Sequence, residues 1–203
     1  GAAAKELKIR LSNVNIKAEK TANKAAMDVS GGGTTKVELD GQNVLDSYGT
    51  DYPASYQAGL RKQGEGMLII TDETDDRGNK ITTPKSNDSG SLIAKGAGGN
   101  GAAGIGGSVA EGTKNITIEG YATVHATGSG NGAGIGGGGY YGKEKPGDAE
   151  NNSKVTATTL GGAAIGGGYG SESGGSAKGI VIRDHATVVA KSDGGSWLGI
   201  GCA

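Results

Sequence analysis

The side chains in this chain with chemistry to offer are its carboxylates, its two histidines and its seven tyrosines, and many of them fall in a few short segments. Residues 71–79 read Thr-Asp-Glu-Thr-Asp-Asp-Arg-Gly-Asn. Asp72, Asp75 and Asp76 are oxygen donors of the kind that wrap a hard cation such as calcium. Their spacing follows neither the EF-hand loop nor the nonapeptide calcium repeat, so a solvated acidic hairpin is the competing reading. No other metal or cofactor is expected.

The segment Tyr48-Gly-Thr-Asp51-Tyr52-Pro-Ala-Ser-Tyr56 gathers three of the seven tyrosines. A tyrosine has an apolar face that stacks on a sugar ring and a hydroxyl that bonds to sugar hydroxyls, so Tyr48, Asp51, Tyr52 and Tyr56 are read as ligand contacts. A self-packed cap over a corner is the alternative. Tyr140, Tyr141 and Tyr169 follow two glycine runs at near-equal offsets. They are read either as an aromatic strip for a polymer chain or as rings shielding bare backbone.

These segments interrupt a repeat. Ala-Gly-Ile-Gly-Gly occurs at 103–107 and 133–137, with echoes at Ala163-Ala-Ile-Gly-Gly and Leu198-Gly-Ile-Gly, so Ile105, Ile135, Ile165 and Ile200 recur every 30 to 35 residues. A period of that size marks stacked units that bury their apolar faces only against their neighbours. Three short strands per unit precede or include the motif. The first strands are Ile9-Arg-Leu, Val37-Glu-Leu, Leu68-Ile-Ile, Ile116-Thr-Ile and Ile180-Val-Ile, with only a weak fifth-coil candidate near Ala149. The second strands include Ile16-Lys-Ala, Leu45-Asp-Ser, Leu92-Ile-Ala, Val124-His-Ala, Val155-Thr-Ala and Val188-Val-Ala. The third run from Ala25-Ala-Met to Leu198-Gly-Ile.

Period-two alternation turns the outer residues of each triplet inward and the middle one outward. The expected fold is all-β: a single-stranded, right-handed parallel β-helix, or solenoid, of about six coils with three short strands each. Met27, Leu60, Ile105, Ile135, Ile165 and Ile200 form one interior column, and Ala18, Ser47, Ala94, Ala126, Ala157 and Ala190 another. Ala and Ile fill the core, and Gly lines a bare outer face. In this alignment Asp46, Ile93 and His125 share an outward column, which floors a groove between the 48–56 corner and the long 71–90 insertion. Asp46 and His125 are then about 10 Å apart, too far for an acid–base pair, and no catalytic residue is assigned.

Composition agrees. Gly at 43 of 203 residues with only 3 Pro excludes collagen, and the absence of Phe calls for a narrow core. A balance of 20 basic against 21 acidic residues offers no field for a nucleic-acid backbone. No apolar run is long enough to span a membrane.

The run Ile116-Thr-Ile-Glu-Gly-Tyr-Ala-Thr-Val-His-Ala-Thr-Gly, followed by Gly132-Ala-Gly-Ile-Gly-Gly-Gly138, resembles the glycine-rich parallel β-helix segments of secreted or cell-surface, adhesin-like bacterial proteins with pectin-lyase-like topology. The resemblance covers nearly the whole chain and implies extracellular or cell-surface display, with adhesion or glycan binding. Residues 1–203 are read as one β-helix domain, a monomer and a fragment of a longer surface protein. Its expected function is non-catalytic presentation of loops and a shallow groove to a glycan or another host or cell-surface molecule. A structural stalk or spacer is the rival, and a polysaccharide lyase or hydrolase the third reading.

Overall fold

Short apolar–polar alternations separated by corner residues build strands that pair across coils. The computed structural model describes residues 5–18, 24–47, 57–75, 77–82, 90–97, 101–139, 156–159, 165–167, 177–184, 186–192 and 200–201. The first coil holds β1 (Glu6–Ser12), β2 (Asn15–Lys17) and β3 (Met27–Val29). The second holds β4 (Thr34–Asp40), β5 (Gln42–Asp46) and β6 (Leu60–Lys62), and the third β7 (Met67–Asp72), β8 (Ser91–Lys95) and β9 (Ile105–Gly106). The fourth holds β10 (Thr113–Gly120), β11 (Thr123–Gly128) and β12 (Ile135–Gly136). There follow β13 (Thr156–Thr159), β14 (Ile165–Gly166), β15 (Ala177–Ile182), β16 (Thr187–Ser192) and β17 (Ile200–Gly201).

The chain is a parallel β-helix. Strands β1, β4, β7, β10 and β15 make the first sheet, β2, β5, β8, β11, β16 and β13 the second, and β3, β6, β9, β12, β14 and β17 the third. All pairings between these strands are parallel. The first-to-second corner is turned by left-handed residues, Asn13, Gly41, Gly120 and Asp184, with φ of 52°, 62°, 67° and 60°. Asn, Asp and Gly are the types that adopt this conformation most readily.

The expected third-sheet column is present, with Met27, Leu60, Ile105, Ile135, Ile165 and Ile200 in register. Leu60, Ile105, Ile135 and Ile165 are fully buried, each contributing about 1.5–3 kcal/mol by leaving water. The other sheets depart from the expected alignment between the second and third coils. Val37 pairs with Ile70 rather than Leu68, and Leu45 with Ala94 rather than Leu92. Both sheets slip by two residues. A two-residue slip leaves every side chain on its own face, so hydrophobic pattern cannot distinguish the two registers. The column expected to run from Ser47 to Ala94 is therefore broken there.

Strand order also differs from chain order. β16 lies directly beside β11, and β13 pairs with the far side of β16. The cause is the short corner 183–186: once β15 has paired with β10, β16 must fall beside β11. β13 then takes the remaining edge of β16. The weak strand candidate near Ala149 lies outside the described residues.

Among the described residues, the glycines of the repeat motifs at 101–107 and 132–139 do not line a bare outer face. Residues 101–108 and 132–139 are all buried. A Cβ on Gly104 would come within 2.6 Å of the Thr127 amide nitrogen, so the motif glycine lets the third strand approach the second-sheet backbone. Gly106, Gly136 and Gly166 form a ladder with φ of 132°, 142° and 140°, a region that L side chains rarely adopt.

Candidate functional site

Of the residues with predicted roles, Asp46, Asp72, Asp75 and His125 fall within the described residues. Tyr48, Asp51, Tyr52, Tyr56, Asp76, Tyr140, Tyr141 and Tyr169 lie outside them. The outward face of the second sheet carries Val44, Ile93, His125 and Val189 in one column. Asp46 instead pairs with Lys95, two residues farther along the strand. The expected Asp46–Ile93–His125 column is corrected accordingly: the carboxylate is displaced by about 7 Å along the strand from the Ile93 and His125 level.

The described part of the insertion after β7 also lies elsewhere than expected. Residues 73–75 and 77–81 form a hairpin, with an antiparallel bridge between Thr74 and Lys80 and the Ile81 amide donating to the Glu73 carbonyl at 2.7 Å. It folds over the outward face of the first sheet rather than flanking the second. Asp75 closes its turn, accepting from the Arg77 and Asn79 amides on Oδ1 and from Asn79 Nδ2 on Oδ2. These bonds hold its pKa below the ordinary carboxylate value, with the Asn79 side chain the largest cause. Asp72 is buried at the hairpin's base, where its Oδ2 accepts the Gly90 amide. The two carboxylates thus serve different backbone turns, and among the described residues no three His, Cys, Asp or Glu side chains converge as metal ligands.

The hairpin is tied down by first-sheet side chains whose roles the sequence reading did not anticipate. Glu38 Oε1 accepts from the Glu73 amide, the Thr74 amide and the Thr74 hydroxyl, at 2.9, 2.7 and 2.7 Å. Arg10 donates to the Asp75 carbonyl at 2.9 Å and to the Thr74 hydroxyl at 2.6 Å. Lys36 Nζ donates to Glu73 Oε2 at 2.8 Å and stands 4.0 Å from Glu119. Burial opposes the Lys36 charge, but the Glu73 hydrogen bond and the charges of Glu73, Glu119 and Glu38 together outweigh it and raise its pKa. Glu119, in turn, is bonded by the Arg183 guanidinium.

Between this hairpin and the first two coils is a cleft of about 380 Å³, lined by Lys8, Ile9, Arg10, Lys36, Glu38, Glu73 and Thr74. Strand register makes its floor: Lys8 pairs with Lys36, and Arg10 with Glu38. The signal was present in sequence as charged middle positions of the first strands, but only the fold of the insertion turns them into a cleft. Beside it, Thr71 pairs with both Glu38 and Glu119 and is fully buried, and its hydroxyl has no hydrogen-bond partner among the described residues.

A family model described as the beta helix repeat matches residues 116–139 and 151–169. The first stretch spans β10, β11 and β12, one three-strand coil. Comparison with curated proteins and with solved structures gives no match. The sequence repeat and the three parallel sheets thus agree on one conclusion: this chain contains a β-helix segment.

Proposed function

We propose that this β-helix is a non-catalytic, extracellular display domain of an adhesin-like bacterial surface protein, and that it binds a glycan or another surface molecule. The observation that carries the reading is the 73–81 hairpin folded over a sheet face to enclose a cleft. Solenoid faces are otherwise flat, and irregular segments held on a rigid scaffold are where binding usually resides. Glu38, a cleft carboxylate, is committed to three hydrogen bonds that tether the hairpin, which suits a structural role better than proton transfer. The tyrosines of residues 48–56, with Tyr140, Tyr141 and Tyr169, are retained as further proposed contacts. Calcium is not required by this reading.

A glycan array probed with the whole chain tests it, alongside a reducing-sugar release assay on the same polysaccharides. Retention of one glycan class without release of sugar is the expected result. Absence of any binding supports the spacer reading instead, and sugar release restores the enzyme.

A further inference from the structure

We propose that the cleft under the hairpin accepts a neutral, hydroxyl-rich saccharide unit and discriminates against charged ones; this rests on the glycan-binding reading above. The charges of the cleft are already engaged within the protein. Three cations and two carboxylates line the cleft; the cations stand in ion pairs, Glu73 belongs to one of these, and Glu38 is committed to three hairpin donors. Lys36 is held by Glu73, Arg10 lies 3.7 Å from Asp40 while donating to the hairpin, and Lys8 lies 3.5 Å from Glu6. An anionic ligand arriving here meets Glu38 and Glu73 as well as the cations, and has to displace Glu73 to reach Lys36. A cationic ligand meets Lys8, Lys36 and Arg10. Each pays for desolvating a charge without finding an unmatched counter-charge.

A neutral hydroxyl meets no such penalty. It accepts from an ammonium and donates to a carboxylate at once, and a carboxylate offers about four lone-pair directions. Among the described residues Glu73 uses only Oε2, toward Lys36, and the Lys8 side chain is 74% exposed. The aliphatic stems of Lys8, Lys36 and Arg10 supply apolar surface for the C–H face of a ring. The volume is near the lower end of the roughly 300–1,000 Å³ usual for ligand clefts, which limits occupancy to a small saccharide unit.

The test is a titration of the isotope-labelled whole chain, followed by amide chemical shifts. It uses a neutral glucan hexamer, a neutral mannan hexamer, a uronate hexamer and a glucosamine hexamer. At least one neutral oligomer is expected to move the amides of Lys8, Arg10, Lys36, Glu38 and Thr74, with an affinity that added salt barely changes. Lys8→Ala should weaken that binding about tenfold, the worth of one charge-assisted hydrogen bond, while Lys95→Ala, which removes an exposed lysine from the second sheet, leaves it intact. Tighter binding of either charged oligomer at these amides overturns the proposal. Neutral binding with shifts only outside the cleft overturns it too but leaves the glycan reading standing. No binding by any oligomer at millimolar concentration overturns the cleft, and the glycan reading then falls only if the array is also blank.

Discussion

Asp72 and Gly90 stand 18 residues apart in the chain, yet the Gly90 amide donates to Asp72 Oδ2 at 2.7 Å. That bond joins the two ends of the insertion. The Asp72 carbonyl also accepts the Tyr121 amide, and the Gly90 carbonyl accepts the Thr123 amide, so both ends are anchored to the fourth coil. Gly90 has no room for a Cβ, which would strike the Leu39 backbone. The loop that carries the hairpin is therefore held at a closed neck.

Burial pushes the Asp72 pKa up to about 6, with Glu38 and Asp40 adding to the rise and the Gly90 bond and Arg10 opposing it. A folded pKa above the unfolded value of 3.8 means that the folded state binds the proton more tightly. Stability should therefore rise as pH falls from above 6 toward 4, as the cost of the buried charge is removed. Asp72→Asn should be more stable than the parent by about 1–2 kcal/mol at pH 7, and the advantage should vanish near pH 4. Urea denaturation of both proteins at the two pH values measures it; an advantage independent of pH would refute the assignment to Asp72.

Glu38→Ala removes the single oxygen that accepts three hairpin donors. Amide exchange at Glu73 and Thr74 should accelerate by one to two orders of magnitude, as expected for lost hydrogen bonds to a charged acceptor. Exchange at Ile135 and Ile165 should be unchanged, because the core does not depend on the hairpin.

Gly106→Ala should destabilise by about 2–4 kcal/mol, because φ is 132° and the new Cβ would overlap the Gly136 carbonyl oxygen. Gly78, at φ 82° with open space around it, is the control, and Gly78→Ala should cost about 1 kcal/mol. Equal losses in thermal denaturation would show that the crowded backbone contact is unimportant.

Lys62 is a buried cation that no sequence pattern announced. It is 1% exposed, and its ammonium donates to the Gln63 and Gly64 carbonyls, both at 3.0 Å. Burial lowers its pKa. Lys62→Met keeps the volume and removes the buried charge, so it should change stability by less than about 1 kcal/mol or raise it. Lys62→Ala should cost about 2–3 kcal/mol through the cavity it leaves, so the difference between the two variants separates packing from charge.

Local pattern sufficed for much of the architecture. The spacing of Ile105, Ile135 and Ile165, the inward turn of alternate residues and the left-handed corners at Asn13, Gly41, Gly120 and Asp184 all follow from short-range sterics and burial, which neighbouring residues encode. The same pattern is blind to a shift of two residues. Only pairing across coils decided that Val37 meets Ile70 and that Asp46 meets Lys95, because both registers bury the same faces. The position of β13 outside β16 was likewise hidden, since it depends on which neighbour β15 has already taken.

Residues 71–90 were legible as an interruption, and the acidic hairpin was among their readings. Their destination was not. Whether a hairpin covers the first sheet or flanks the second is decided by contacts with Arg10, Lys36 and Glu38, which lie 35 to 65 positions away in the chain. Sequence alone determined the repeating coil because its causes are local. The cleft exists only in the tertiary structure, where residues far apart in the chain complete one another's hydrogen bonds.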